Sequence, residues 1–433
     1  MSKFTFVGGI HPYDGKDLSK DKPIRNILPG GEVVYPLSQH IGAPAKAIVA
    51  KGDRVLAGQK IAESGGFVSA PIYASVSGTV KTLEPRRVVT GDMVMSIVLD
   101  NDSQYESVPF APWMPMEDMT REDILSCIRE AGIVGMGGAG FPTHVKLSPK
   151  EPGNIDYVIA NCAECEPYLT SDYRRMLEEP EKLIGGLKIL LRLFDNAHGI
   201  LAVEDNKPDC VELLRKHVKD EPRISVKALK TKYPQGAEKM LIKRVMKRQV
   251  PSGGLPADVG CVVSNISTTK AISDAIQKGM PLVERVVTVT GEHVKKPGNY
   301  IVKIGTNTKD LIDYCGGITG EDVTVKAGGP MMGFVLADTN VPIMKGSNGI
   351  IAVDTDHTAE QPCIKCGRCV DVCPMELSPL YFAKYADEEN WQGVKEMSVM
   401  DCIECRCCEY ICSSKIPLVA KIKAGKNAVR GMK

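Results

Sequence analysis

The sequence predicts a multidomain α/β protein, and three observations carry that reading. The chain has 433 residues, too many for one ordinary core, with 43% hydrophobic and 25% charged residues, a composition that folds. Between residues 157 and 280 short β-branched runs alternate with helical stretches, the pattern of a parallel sheet covered by helices. On both sides lie β-type segments broken by Gly and Pro, and the chain ends in a tract of closely spaced cysteines.

The first predicted unit spans residues 1–110. From Ala43 to Val98, AKAIVAKGDRVLAGQKIAES and then SAPIYASVSGTVKTLEP are short β runs, and the turns at Gly52-Asp53, Gly58 and Ser77-Gly78 resemble a lipoyl-type barrel-sandwich. No lysine stands in a hairpin between an acid and an alanine, which argues for docking rather than a swinging arm. The second unit, 111–280, reads as a Rossmann-like α/β domain. Thr120 and Asp123 stand at capping-box spacing before the apolar stripe Ile124, Leu125 and Ile128, so 121–131 is a helix that ends in the glycines of Gly132–Gly140. Strands follow at Tyr157–Ala160, Gly199–Val203, Ile224–Leu229 and Cys261–Val263, with a long helix near Tyr173–Phe194 and others from Pro208, from Ala237 and after Val263. Residues 281–355 return to β-type sequence, VVTVTGEHVKKPGNYIVKIG, then a short helix in TKDLIDYCGGI, and predict a β-grasp module of SLBB type. Residues 356–433 form a separate cysteine-bearing domain.

Lys plus Arg number 54 against 53 Asp plus Glu, so there is no overall field to attract nucleic acid. The longest apolar stretches, Leu187–Phe194 and Val283–Val289, fall far short of the roughly 20 residues that cross a bilayer. The opening MSKFTFVGGIHP has no secretory-leader pattern, so a cytoplasmic protein is expected. The 15 cysteines fit reduced thiols rather than a disulfide framework, because about half sit in metal-type spacing.

That spacing is the sharpest signal. Cys363, Cys366, Cys369 and Cys373, followed by Pro374, form one C-x-x-C-x-x-C-x-x-x-C run, and Cys402, Cys405, Cys408 and Cys412 form a second. Three thiolates so spaced wrap one [4Fe–4S] cubane, and the fourth reaches the other cluster in a ferredoxin-like fold. The expected sets are Cys363, Cys366, Cys369 with Cys412, and Cys402, Cys405, Cys408 with Cys373. Structural zinc, the alternative, draws on separated C-x-x-C pairs. Cys407 is a ninth cysteine that the register leaves out, read as a packed thiol.

Gly135-Met-Gly137-Gly138-Ala139-Gly140 satisfies G-x-G-x-x-G, yet it follows a predicted helix and leads into Phe141-Pro142, so it is not a standard dinucleotide fingerprint. Its amides can still cradle a phosphate, with Lys146 as a point charge; a tight interdomain turn is the bland reading. After the strand Tyr157–Ala160 comes Asn161-Cys-Ala-Glu164-Cys165-Glu166-Pro167, a polar loop at the ligand-binding end of such a sheet. Cys162 and Cys165 make a lone C-x-x-C, which suits a redox pair or half a metal site less well than a place in that loop.

GMGGAGFPTHVK, NCAECEP, the tandem cysteine runs and the opening FVGGIHPYDGK together resemble the RnfC family of Rnf ferredoxin:NAD+ oxidoreductases, over essentially the whole chain. The α/β domain is in turn similar to the FMN-binding 51-kDa-type subunit of respiratory complex I. The resemblance implies FMN, NAD(H) and two [4Fe–4S] clusters. It places Gly137, Gly138 and Lys146, with Ala139 in the same loop, on the FMN phosphate side, Asn161, Glu164 and Cys165 along the isoalloxazine, and Phe141 near the adenine end. Glu166 would face the nicotinamide and is the expected catalytic residue, while Tyr233, Gly236 and Glu238, and the turn with Asn265 and Thr268, would surround flavin and NADH. Met136 stands where complex I has an arginine, so nucleotide affinity is expected to differ.

NAD(H) exchanges two electrons as hydride and clusters carry one, so a flavin is the chemically required junction. The expected function is the peripheral NAD(H)-binding subunit of an ion-translocating complex at the cytoplasmic face of the membrane, with membrane and ferredoxin-accepting subunits as partners. Two alternatives stay open: a soluble NADH-oxidising carrier that feeds a reductase, and a cluster-bearing scaffold without nucleotide binding. Residues 415–433 hold six Lys or Arg among apolar positions and read as a basic tail for a partner or lipid headgroups, or as a solvated helix.

Overall fold

The computed structural model describes residues 5–432, so Met1–Phe4 of the opening segment lie outside it. At its centre is a four-stranded parallel sheet in the order Ile224–Leu229, His198–Glu204, Tyr157–Cys162, Cys261–Asn265. The middle strands are almost wholly buried, which is why they read as apolar runs rather than alternations. The chain steps outward from Tyr157–Cys162 and returns to its other side at Cys261–Asn265, so the strand order reverses at the carboxyl ends of this pair, where open α/β sheets bind ligands. The helix Arg121–Glu130 starts on the expected Thr120–Asp123 capping box. The single helix expected over Tyr173–Phe194 is instead two, Ser171–Glu178 and Pro180–Leu191. Pro180 cannot continue a helix through its missing N–H but suits a first turn.

Residues 32–101 form the barrel-sandwich: Glu32–Pro36, Met93–Asn101, Gly78–Arg87 and Arg54–Val55 in one antiparallel sheet, and Lys46–Ala47, Lys60–Glu63 and Ile72–Tyr73 in another. Their inward residues, Val33, Tyr35, Val55, Ile61 and Leu99, join the core of the α/β domain. The β-grasp sheet has six strands, in the order Ile24–Ile27, Gly298–Lys303, Glu284–Thr290, Gly349–Asp354, Val323–Ala327, Phe334–Val335. Ile24–Ile27 pairs in parallel with Gly298–Lys303, so the N-terminal segment lends a strand to the third unit instead of staying within the first.

The cysteine domain is helical, with Pro379–Asp387, Trp391–Glu396 and Leu418–Gly431 around Phe382, Val394 and Ile422. The basic tail is therefore not free. Leu418, Val419, Ile422 and Val429 fill this core, while Lys421 pairs with Asp387 and Lys426 with Glu404. Among the described residues no helix is long and apolar enough to cross a membrane.

Candidate functional site

The loop that follows strand Tyr157–Cys162 turns back on itself through two non-glycine residues in the left-handed region, Glu164 at φ 47° and Tyr168 at φ 66°. Such conformations persist only where the surroundings hold them. Glu164 is held by its carboxylate, which accepts from the amides of Asp172 (2.6 Å) and Tyr173 (3.0 Å) and so closes the N-terminus of helix Ser171–Glu178. Burial pushes its pKa up to about 7 against the pull of Lys16. Glu166 is held by the β-grasp domain: its carboxylate accepts from the amides of Met331 (3.2 Å) and Met332 (2.8 Å), and burial raises it too to about 7. A Cβ at Gly329 would stand 2.0 Å from a Glu166 carboxylate oxygen, so a side chain there would push this carboxylate off its amides.

Across the switch point, Tyr233–Gly236 packs on the same loop. Asn161 donates to the Gly236 carbonyl (2.8 Å), and the Gly236 amide donates to the Cys165 thiol (3.2 Å). The glycine loop meets the turn after strand Cys261–Asn265: the Met136 amide donates to Thr268 Oγ1 (3.0 Å), and a Cβ on Gly137 would lie 2.8 Å from that of Asn265. Gly137, Gly138 and Ala139 form an exposed lip, and a Cβ on Gly138 would meet nothing within 4 Å. This open lip stands by the N-terminus of the 13-residue helix Ile266–Lys278, a setting that favours an anion. Asn265 caps that helix through the Ser267 amide and also donates to Asp172 (2.8 Å). Lys146, expected at the FMN phosphate, and Glu238, expected around flavin and NADH, form an ion pair with each other. The Phe141 carbonyl closes the glycine loop by accepting from Gly135 N–H (2.8 Å).

Two buried lysines underlie this arrangement. Lys16 Nζ donates to the carbonyls of Glu164 (3.1 Å), Glu166 (3.0 Å) and Leu169. Lys207 Nζ donates to the carbonyl of Ala163 (2.8 Å) and pairs with buried Glu204 (3.3 Å). Burial lowers the Lys16 pKa, and the neighbouring Glu164 raises it in part. The acidic loop thus has its carbonyls turned onto cations behind it.

In the cysteine domain Cys373, Cys402, Cys405 and Cys408, the second expected set, line one small cavity together with Cys407, Ile403, Leu377 and Phe382. Among the described residues no three His, Cys, Asp or Glu side chains converge closely enough to hold a single metal ion. Amides of Lys365, Leu377 and Glu404 donate to the sulfurs of Cys363, Cys373 and Cys402, each at 3.4 Å, and such bonds tune a cluster. Tyr233 connects this cavity to the switch point, its hydroxyl donating to the Cys405 carbonyl at 2.9 Å.

Four known families match successive parts of the chain. The family described as Nuo51 FMN-binding domain matches residues 128–274, the RnfC barrel sandwich hybrid domain 4–104, the SLBB domain 286–335 and the 4Fe-4S dicluster domain 362–416. The RnfC-type member of the proton-translocating ferredoxin:NAD(+) oxidoreductase complex of Clostridium ljungdahlii is 46% identical over 399 residues, 90% of this chain and 86% of that protein. Its counterpart in the Na(+)-translocating complex of Acetobacterium woodii is 43% identical over 429 residues, 98% and 97% of the two. The chain belongs to the RnfC family of ferredoxin:NAD(+) oxidoreductase complexes. An NAD+-reducing [NiFe]-hydrogenase crystal structure in the air-oxidized state shares the fold at TM-score 0.51 and 17% identity, over 76% of this chain and 72% of that one.

As a member of the RnfC family, the protein is part of an oxidoreductase complex and has an FMN-binding domain and a 4Fe–4S dicluster domain. Its structure brings together, around one switch point, the sequence-predicted Asn161, Glu164, Cys165, Glu166, Gly236, Asn265, Thr268 and Gly137. Sequence reasoning missed Lys16, Lys207 and Asp172. Lys16 lies in the opening FVGGIHPYDGK segment, but no periodicity marks a lysine that is buried by partners 148 residues and more away.

Proposed function

We propose that this chain is the peripheral NAD(H)-binding subunit of an ion-translocating ferredoxin:NAD+ oxidoreductase, passing electrons between two [4Fe–4S] clusters and NAD(H) through FMN. The observation that carries this is Tyr233: one residue packs against the FMN-domain loop through its own turn and donates its hydroxyl to the backbone of Cys405. Cys402, Cys405, Cys408 and Cys373 would hold the cluster nearer the flavin domain, and Cys363, Cys366, Cys369 and Cys412 the outer one, whose Cys363 and Cys366 are exposed.

Bound at the switch point, FMN supplies the exchange of a two-electron hydride for single electrons. The residues do the rest. The Gly137–Ala139 lip and the N-terminus of helix Ile266–Lys278 would receive the anionic phosphate. Asn161 and Cys165, fixed by Gly236, present a rigid wall for the ring. Glu164 stays where the helix amides of Asp172 and Tyr173 place it, and the lysines behind the loop hold its carbonyls by hydrogen bonds. Glu166 remains the acid proposed to face the nicotinamide, positioned by Met331 and Met332. Lys146 would have to leave Glu238 to reach a phosphate. The exposed outer run fits a face toward membrane and ferredoxin-accepting subunits on the cytoplasmic side.

Anaerobic purification followed by iron, sulfide and flavin analysis, with spectra before and after NADH, tests this. About eight irons and one FMN, bleached by NADH, are expected. Eight irons without flavin, or flavin unmoved by NADH, would sink the reading in favour of a scaffold.

A further inference from the structure

The segment Phe6–Lys16 touches the inner-cluster loop, the Tyr233 turn and the acidic loop. Gly9 N–H donates to the carbonyl of Val372, next to the cluster-cavity residue Cys373, at 2.8 Å. The next amide, Ile10 N–H, donates to the carbonyl of Tyr233 at 2.8 Å, and Tyr233 N–H returns a bond to Ile10 at 3.0 Å. The two donors belong to adjacent residues, whose Cα atoms lie ~3.8 Å apart. One peptide thus fixes the separation between the cysteine loop and the flavin-domain loop.

The contacts leave no slack. Gly8 has φ 70°, and a Cβ there would stand 2.6 Å from the Cys373 carbonyl oxygen; Gly9 has φ 74°, and its Cβ would stand 2.6 Å from that of Tyr233. Both neighbours are backbone and cannot swing away. Lys232 clamps the segment by donating to the Phe6 carbonyl (3.1 Å) with its ammonium 5.0 Å from the Phe6 ring centroid. Further along, the Asp14 carbonyl accepts from Tyr168 N–H at 2.5 Å, and Lys16 gathers the three carbonyls of the acidic loop.

We propose that Phe6–Lys16 is a spacing strap: Gly8 and Gly9 set the gap between the inner cluster loop and the flavin-domain loops, and Lys16 sets the shape of the acidic loop. These are positioning residues, not catalytic ones. The inference deepens the electron-path reading above and rests on it.

The test separates the two half-reactions in the full-length, anaerobically reconstituted chain. Oxidation of one NADH to NAD+ and H+ delivers two electrons, read first as flavin bleaching and then as one electron on each cluster by electron paramagnetic resonance. In Gly8→Ala, flavin bleaching should stay within twofold of wild type while cluster reduction slows at least tenfold. Amide exchange at Ile10 and Tyr233 should accelerate at least tenfold, a readout independent of activity. In Lys16→Met the order reverses: the KM for NADH and the bleaching rate suffer, while dithionite reduces the clusters as in wild type. Should Gly8→Ala fail to load its clusters, Lys232→Met removes the Phe6 tie without adding an atom and should slow cluster reduction about threefold. Unchanged cluster reduction in the loaded Gly8→Ala, or in Lys232→Met, overturns the strap. A wild type that lacks flavin or ignores NADH overturns the electron path itself, a distinct result.

Discussion

The two cysteine runs share a backbone and differ in their surroundings. Each bends through left-handed residues at the same offsets: Lys365 (φ 56°) matches Glu404 (φ 55°), Gly367 (φ 80°) matches Arg406 (φ 61°), and Glu376 (φ 58°) matches Lys415 (φ 51°). Yet Cys363 and Cys366 are exposed, whereas Cys405 and Cys408 are only 8% and 7% exposed. The second run is covered by Ile10, Tyr233 and Met331, one residue each from the strap, the α/β domain and the β-grasp domain. One motif, repeated, has become an outward-facing terminal and an inward-facing one. Cluster potentials respond to solvent exposure and hydrogen bonding, so near-identical ligand loops are expected to hold clusters of different potential.

The largest effect that can break this comparison comes from removing one ligand of each kind. Cys405→Ser should abolish NADH-driven reduction of the outer cluster, by at least ~100-fold, with loss of about half the iron. Cys363→Ser should lose similar iron but keep flavin bleaching and reduction of the inner cluster. Paired iron analysis and electron paramagnetic resonance check both. Equal behaviour of the two variants would mean that inward and outward have no functional meaning.

Next in size is the seal over the inner run. Glu166 is the carboxylate to which Met331 and Met332 donate, and burial raises its folded pKa to about 7, above its ordinary 4.5. The folded state therefore binds more protons than the unfolded one between these values, and stability falls as pH rises from about 4.5 to 7. Glu166→Gln should flatten that fall by roughly 3 kcal/mol across the window. Glu164, also raised to about 7, keeps its own share of the slope. Denaturant titrations at several pH values read the difference, and an unchanged slope would show that Glu166 does not titrate in the seal.

Some of this contrast is displayed in the sequence and some is hidden. The spacing of the eight cysteines is displayed in full, and it alone carries the expectation of crossed ligand sets. The parallel strands were legible because burial on both faces makes runs such as Ile200–Val203 continuously apolar. The Thr120 cap was legible because a cap is a four-residue event. Other features depend on partners far away in the chain. Glu164 reads as a ligand-lining acid until Asp172 and Tyr173 claim its oxygens. Ile24–Ile27 is only four residues, Ile-Arg-Asn-Ile, with no alternation to announce a strand, and its partner lies at Gly298–Lys303. The basic tail has a charge pattern that suits lipid as well as it suits Asp387 and Glu404, and only the position of these acids decides.

The smallest predicted effect sharpens the comparison at one atom. The left-handed position after the second cysteine of each run is filled by glycine in the outer run and by Arg406 in the inner one. A non-glycine residue there costs about 1 kcal/mol relative to glycine. The Arg406 side chain recovers part of this at most, through a 4.0 Å contact with Glu409 and a minor pull on the buried Glu166 carboxyl. Arg406→Gly should therefore stabilise the cluster-loaded protein by somewhat under ~1 kcal/mol, after the added freedom of the unfolded chain is subtracted. Gly367→Ala should destabilise it by about the same amount. The midpoint of cluster release in denaturant measures both. If Arg406→Gly instead loses stability, the arginine holds the inner run through a charge effect that its contacts do not reveal, and the two runs differ in electrostatics as well as in burial.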